Sequence, residues 1–299
     1  MTDGEQELSL ALGSGGARGL AQIGVIHWLE QNSDYRITSI AGASMGALIG
    51  GIYAAGKLDL YEEWVTQLNR YDVVRLLDFA FSRSGLFSGE RIMNKLKEML
   101  GDVNIEDLPI TFTAVATDIE SGREVWLSEG SLFEAIRASI AIPTVFTPVK
   151  RRGRLLVDGG LLNPVPIAPT LRDSTDKTVA ITLSGRNEEK LEQKEPESAP
   201  AANEQNRYRR AIGQFIEGLQ EKLGMSDELA PEIDIFNITS RSLEAMQNSI
   251  ARFRIAAYNP DHLIEIPGNA CGMFEFHRAQ EMIDLGYERA GWALSDLRR

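Results

Sequence analysis

Ser44 stands at the centre of Gly42-Ala43-Ser44-Met45-Gly46, a G-x-S-x-G pentapeptide that follows the β-branched run Ile37-Thr38-Ser39-Ile40 and opens an Ala/Gly/Leu-rich stretch. A serine so placed sits on a tight strand-to-helix turn that pushes its hydroxyl outward, the geometry of an activated nucleophile. Gly42 and Gly46 have a mechanical purpose there, because a Cβ at either would obstruct the crossing of strand and helix. The chemistry this predicts is acyl transfer, although the pentapeptide alone also fits an inert Gly/Ser turn.

An acyl-transfer serine needs a base and an oxyanion hole. Histidine is scarce: His27 falls in a helix after the first glycine-rich loop, and His262 and His277 lie in the C-terminal part. None occupies a turn at a strand end, where a triad histidine is presented, and His277, on a C-terminal helix, is the best placed of the three. The other base candidate is Asp158 in Leu155-Leu156-Val157-Asp158-Gly159-Gly160, at the end of an apolar strand above two glycines. A plain turn-forming Asp-Gly is its ordinary explanation. For the oxyanion, the apolar run 8–12 leads into Gly13-Ser14-Gly15-Gly16-Ala17-Arg18-Gly19 and then a helix with Ile23 and Ile26, so N–H groups and a helix dipole converge on the glycines. A dinucleotide fingerprint fits poorly. The sixth position from Gly13 is Arg18, and the second strand ends in Gly42-Ala43-Ser44 with no acid for a ribose.

These residues need a scaffold, and the apolar runs 8–12, 37–41, 110–116 and 179–183 alternate with helical patterns. That predicts an α/β fold whose mainly parallel sheet is covered on both faces. Residues 37–56 carry no charge, and Gly42, Gly46 and Gly50 repeat at G-x-x-x-G spacing. Their β-branched start and helix-forming end suit a buried strand-turn-helix better than a membrane span. Tyr61, Trp64, Val65 and Leu68 recur at helical spacing, as do Ile92, Leu96 and Met99 behind a candidate cap, Ser88. The loop 79–87 carries Phe79, Phe81, Leu86 and Phe87, enough apolar surface to line an acyl channel or simply to pack. Residues 145–149 and the strand before Asp158 read as a hairpin around Arg151-Arg152-Gly153.

From 184 to 211 the hydrophobic pattern fails, which predicts a mobile insertion. Beyond it Tyr208, Ile212, Phe215, Ile216, Leu219 and Leu223 form an apolar stripe opened by Arg207, Arg209 and Arg210, suited to covering the sheet or to lying on lipid. Helices are expected around 243–257 and 276–294, with a short strand at 262–266 ended by Pro267. One domain is expected over 1–299, with a catalytic core at about 8–183, the insertion at 184–211, and a helical portion, 212–299, completing the fold.

The formal charge of −12 over 299 residues offers no basic face to nucleic acid. Cys271 is the single cysteine, which suits a reducing compartment, and the acidic start lacks the apolar core of a secretory signal. The cytoplasm is the expected location.

At this point the chain resembles the patatin-like phospholipase family. Four features match in the family's order: the glycine-rich loop with Arg18, the G-x-S-x-G around Ser44, the segment Ala138-Ser139-Ile140-Ala141-Ile142-Pro143, and Asp158-Gly159-Gly160 followed by Asn163-Pro164. Residues 252–257 and 274–278 look like the bacterial branch related to neuropathy target esterase. The resemblance implies a three-layer α/β/α sandwich and a Ser–Asp dyad without histidine, acting on lipid acyl esters with no metal or organic cofactor. Ser44 would be the nucleophile, Asp158 the base, and the N–H groups of Gly15, Gly16 and Ala17 the oxyanion donors. Arg18, Gly19, Gly42, Gly46, Gly159 and Gly160 would support them. Ser14 replaces the family's first glycine, which leaves the donors in place and narrows the loop's conformational range. The rival reading is a catalytically idle lipid-binding or regulatory protein on the same fold.

A carboxylate in water is too weak a base for a serine, so such a dyad requires a dry site that raises its proton affinity. Lys150, Arg151, Arg152 and Arg154, with the arginines at 207, 209 and 210, are the basic clusters of an acidic chain. Peripheral contact with an anionic membrane at its inner face is therefore expected of them, beside the plain reading as solvated turn and helix-end charges.

Overall fold

Two adjacent strands, buried on both faces, show why the chain folds into layers. Leu8, Leu10 and Leu12 join the main core together with Val179, Ile181 and Leu183, while the intervening Ala11 and Ala180 join a smaller cluster with Val165, Ile167 and Ala251. Period-two side chains thus send leucine and isoleucine to one face of a sheet and alanine to the other.

The structure, a computed structural model, describes residues 6–77, 79–82, 85–87, 90–143, 145–188 and 235–298. The elements, in chain order, are β1 (Gln6–Leu12), α1 (Ala21–Asn32), β2 (Tyr35–Ala43), α2 (Met45–Ala54), α3 (Leu58–Thr66), α4 (Arg70–Leu77), β3 (Phe79–Ser82), β4 (Gly85–Phe87) and α5 (Glu90–Leu100). There follow β5 (Thr111–Asp118), β6 (Arg123–Leu127), α6 (Leu132–Ser139), β7 (Val149–Arg151), β8 (Arg154–Asp158), α7 (Ile167–Thr170), β9 (Lys177–Gly185), α8 (Ile235–Tyr258), β10 (His262–Pro267) and α9 (Ala279–Ala293). The main sheet runs β10-β9-β1-β2-β5-β8-β7, with β6 also paired to β5. The pairings from β10 to β5 are parallel, and β6, β7 and β8 add antiparallel pairs at one side. This is the mainly parallel three-layer α/β/α arrangement that the alternating runs predict.

The uncharged stretch 37–56 resolves into β2, the turn at Ser44, and α2, and among the described residues no helix is long and apolar enough to cross a membrane. Residues 79–87, expected as a loop, contain the paired strands β3 and β4, with Phe79 opposite Phe87. Their side chains lie outside the described residues, as does the candidate cap Ser88. The helix expected from 276 begins as a 3-10 turn, Phe276–Arg278, and becomes α-helical at Ala279.

The chain divides into two compact units, Met1–Glu188 with Leu243–Arg299, and Glu189–Ser242. In the second unit the described residues, 235–242, are helical. The stretch expected as an insertion is described only over 184–188, and the apolar stripe with Arg207, Arg209 and Arg210 lies outside the described residues.

Strand register then sets the site. Ala43 at the end of β2 pairs with Val115 of β5, and the next β5 residue, Ala116, pairs with Asp158 at the end of β8. β6 takes one side of β5 over residues 114–118, so β2 and β8 share the other side, run along it from opposite directions and finish head to head, near where β1 gives way to the Gly13 loop.

Candidate active site

Ser44 holds φ 53° and ψ −120°, a positive φ that is rare for a residue with a Cβ. The turn is forced by proximity: a Cβ on Gly46 would lie 2.0 Å from the Leu12 carbonyl oxygen, so only glycine lets α2 pass this close to the end of β1. The Ser44 carbonyl accepts from the N–H groups of Ala47 and Leu48 at 3.0 and 3.1 Å, starting the helix, while its side chain makes no capping bond. Its own N–H donates to Ser139 Oγ at 3.0 Å, and Ser139 Oγ donates onward to the Val115 carbonyl at 2.6 Å.

Asp158 caps the 3-10 turn Gly159–Leu161, accepting the Gly160 N–H on Oδ1 at 2.7 Å. Its main-chain N–H donates to the Ala141 carbonyl at 2.9 Å. One segment, the end of α6 and the residues after it, thus fixes both Ser44 and Asp158. Each is about as hidden as a core side chain, at 5% and 4% exposure. Burial pushes the Asp158 carboxyl up to about 7, against the opposing influence of the Ser44 hydroxyl and the Gly160 N–H. Oδ2 is buried and lacks a partner of regular hydrogen-bond geometry. Ser44 and Asp158 line one cleft without a hydrogen bond of regular geometry between them, as is common before substrate closes a site.

The glycine loop is anchored on several sides. Gly13 N–H donates to Ile181 O at 3.0 Å, Ser14 N–H to Pro164 O at 2.8 Å, and buried Gln22 Nε2 to Gly13 O at 2.8 Å. Arg18 is 7% exposed; its Nε donates to Gly15 O at 3.2 Å, Nη1 to Gly268 O, and Nη2 to Glu244 Oε1 at 2.9 Å. Gly16 takes φ +58°, a left-handed turn suited to glycine. Beyond that turn the Ala17 N–H donates to Met273 O at 2.9 Å. This corrects the expectation for Ala17, since a donor already spent on a main-chain carbonyl is not offered to a substrate. Gly15 and Gly16 line the cleft with Ser44 and Asp158, and their N–H groups carry no hydrogen bond to a described residue.

That cleft encloses about 670 Å³, part of it open to solvent, with Ile142, Leu161, Val165, Leu183, Leu243 and Met273 among its apolar walls. The Ser14 side chain also faces it, packed where a Cβ on Gly160 would otherwise stand.

The three histidines are engaged elsewhere. His27 Nε2 is 3.1 Å from Glu62 Oε2, His262 Nε2 3.7 Å from Asp296 Oδ2, and His277 Nε2 accepts from Arg70 Nε at 3.1 Å. Burial, then the Arg70 charge, holds the His277 imidazole below its ordinary range. Cys271 is buried, and its thiol is pushed up to about 11 by that burial. Among the described residues no three His, Cys, Asp or Glu side chains gather as a metal site. In the sequence Ser139 is only one residue of the segment 138–143; its hold on the Ser44 turn depends on folding, and no spacing to Ser44 announces it.

The sequence profile described as patatin-like phospholipase matches residues 10–171. A protein named as an uncharacterized NTE family protein of Mycobacterium tuberculosis is 38% identical over 328 residues, spanning 96% of this chain and 91% of that protein. Neuropathy target esterase sws of Drosophila persimilis is 32% identical over 166 residues, 53% of this chain and 11% of that protein. The crystal structure of VipD from Legionella pneumophila covers 99% of this chain and 67% of its own at 14% identity and a TM-score of 0.46. With more than half of the chain matched by the profile and a relative aligned over nearly its whole length, the chain belongs to the patatin-like phospholipase family.

Proposed function

We propose that this protein is a serine acyl-ester hydrolase of the phospholipase A or lysophospholipase type, releasing fatty acid from lipids. Family membership supports hydrolysis of lipid esters in general. The observation that carries the finer reading is the convergence of Ser44 and Asp158 at one buried edge, with the Asp158 carboxyl pushed up to about 7.

In this reading Ser44 Oγ attacks the ester carbonyl while its proton passes to Asp158, and the N–H groups of Gly15 and Gly16 receive the developing oxyanion. Asp158 then returns the proton to the leaving alcohol as the acyl-enzyme forms. Water, deprotonated by the same carboxylate, attacks the acyl carbon, and Ser44 leaves with that proton restored. An acyl chain against Ile142, Leu161 and Leu183 displaces water and strengthens the polar contacts at the reacting carbon.

Labelling by a fluorophosphonate probe tests this directly. Wild type is expected to take up the probe and Ser44→Ala to lose it. An unlabelled, folded wild type would leave the idle lipid-binding protein as the better reading.

A further inference from the structure

A second cleft, of about 620 Å³ and partly open to solvent, lies apart from Ser44 between β6 and the β7–β8 hairpin, with Trp126, Glu129, Arg151, Arg152 and Arg154 on its walls. Three guanidinium groups meet one carboxylate there. Arg152 Nη1 is 3.5 Å from Glu129 Oε1, and Arg151 Nη2 donates to the Glu129 main-chain oxygen at 2.9 Å, which uses no charge. The Arg154 charge also reaches Asp118, a carboxyl held below its usual range first by its hydrogen bond from Ser121. A fourth cation, Arg172, lies 4.4 Å over the Trp126 ring.

One strong donor in these walls has no acceptor. Arg151 Nη1 is buried and makes no hydrogen bond, and a buried donor left unpaired is costly. Trp126 Nε1 is unpaired as well, but strand alternation puts its ring, beneath Arg172, on the other face of the sheet from Val125, Leu127 and Leu156. The turn itself adds an independent sign. Arg152 and Gly153 take φ 49° and 78° in a two-residue hairpin loop, where asparagine or aspartate before glycine is the favoured choice. An arginine kept at a left-handed position is a local cost that points to use of its side chain.

We propose that this cleft is an anion site that takes a phosphate group. Guanidinium forks match the several oxygens of a phosphate; a single planar carboxylate would engage one fork and leave the others unused. The site has a defined relation to the chemistry. Arg154 and Asp158 begin and end the same strand, about 13 Å apart at the usual rise per residue. Asp118, the last residue of β5, pairs with Leu156, so Arg154 extends past the catalytic edge of the sheet. The phosphate of a lipid headgroup and that of a soluble phosphate ester share this chemistry.

The test titrates inorganic phosphate into the intact protein, following thermal midpoint and tryptophan emission. It also co-sediments the protein with phosphatidylcholine vesicles with and without phosphatidic acid. Wild type is expected to bind phosphate saturably. Arg151→Gln should weaken that binding about tenfold or more, and Arg154→Gln about threefold. Both variants should hydrolyse a soluble p-nitrophenyl acyl ester as wild type does, separating this site from the catalytic reading. Retention by the phosphatidic acid vesicles, displaced by free phosphate, assigns the headgroup as the source; phosphate binding without vesicle retention assigns a soluble ester. Absence of saturable binding by wild type overturns the site, and so does binding by both variants at wild-type strength.

Discussion

Ser139 Oγ takes the main-chain N–H of Ser44 at 3.0 Å and passes its own proton to Val115 O at 2.6 Å, so a buried hydroxyl clasps the strained nucleophile turn to the middle of the sheet. Replacing it by alanine strands both the N–H and the carbonyl. Ser139→Ala is expected to destabilise the fold by about 1–3 kcal/mol and to lower kcat more than it changes KM. Urea denaturation and ester kinetics on the same preparation check both halves, and an unchanged kcat would remove Ser139 from the positioning of Ser44.

For the nucleophile itself, Ser44→Ala should lower hydrolysis of a p-nitrophenyl acyl ester by about a thousandfold or more, while the thermal midpoint moves little. The side chain makes no capping bond whose loss would destabilise α2. Residual activity above about a tenth of wild type would move the chemistry to another group.

Acid–base behaviour follows from Asp158. Only the ionised carboxylate can accept a proton, so kcat/KM is expected to rise tenfold per pH unit up to a midpoint at about 7 and then level off. The same group makes stability fall as pH rises. Its folded-state value, about 7, exceeds the ordinary 3.8, so the folded protein holds the proton more tightly between those limits, and the penalty of burying the charge is complete above them. Asp158→Asn should abolish activity and, relative to wild type, gain stability on going from pH 4 to pH 8, by an amount on the order of a few kcal/mol. Chemical denaturation of both proteins at the two pH values measures this, and a wild type whose stability rises instead would contradict the buried carboxyl.

His27→Ala, His262→Ala and His277→Ala should each keep most of the activity and the same pH midpoint, since none of the three rings lines the cleft of Ser44 and Asp158. A folded but inactive histidine variant would turn the dyad into a triad.

Gly46→Ala tests the crossing of β1 and α2. The added methyl would sit 2.0 Å from a main-chain oxygen that cannot swing aside. Loss of at least about 3 kcal/mol of stability, or failure to accumulate folded protein, is expected in denaturant titration.

The sheet was readable because its strands are short continuous apolar runs, and Leu8, Leu10, Ala11 and Leu12 are all buried, as strands covered on both faces require. The positions of Ser44 and Asp158 at strand ends were readable for a different reason: each carries its local geometry with it, glycines around a strand end, and the strand register brings the two ends together. Ala17 was misread because the acceptor of its N–H, Met273, is 256 positions away in the chain and leaves no trace near the glycine loop. Ser139 escaped for the same reason. Its neighbours Ser44 and Val115 are made adjacent by β5 and α6, and a lone serine at a helix end has no periodicity to mark it. The proposed phosphate cleft joins β6 to a hairpin more than twenty residues later, so its arginines could be counted in the sequence and the unpaired Arg151 Nη1 among them could not.

Arg18 has a consequence for the order of events in the cell. Its anchors, Glu244 and Gly268, and the Met273 oxygen that holds Ala17 all come late in the chain, long after Ser44 and Asp158. A polypeptide emerging from the ribosome therefore carries Ser44 and Asp158 while the glycine loop is still untethered. The proposed oxyanion donors are held in place only once residues 244–273 have joined the fold. A chain stopped after residue 242 should accordingly leave a fluorophosphonate probe unreacted even though its serine is present.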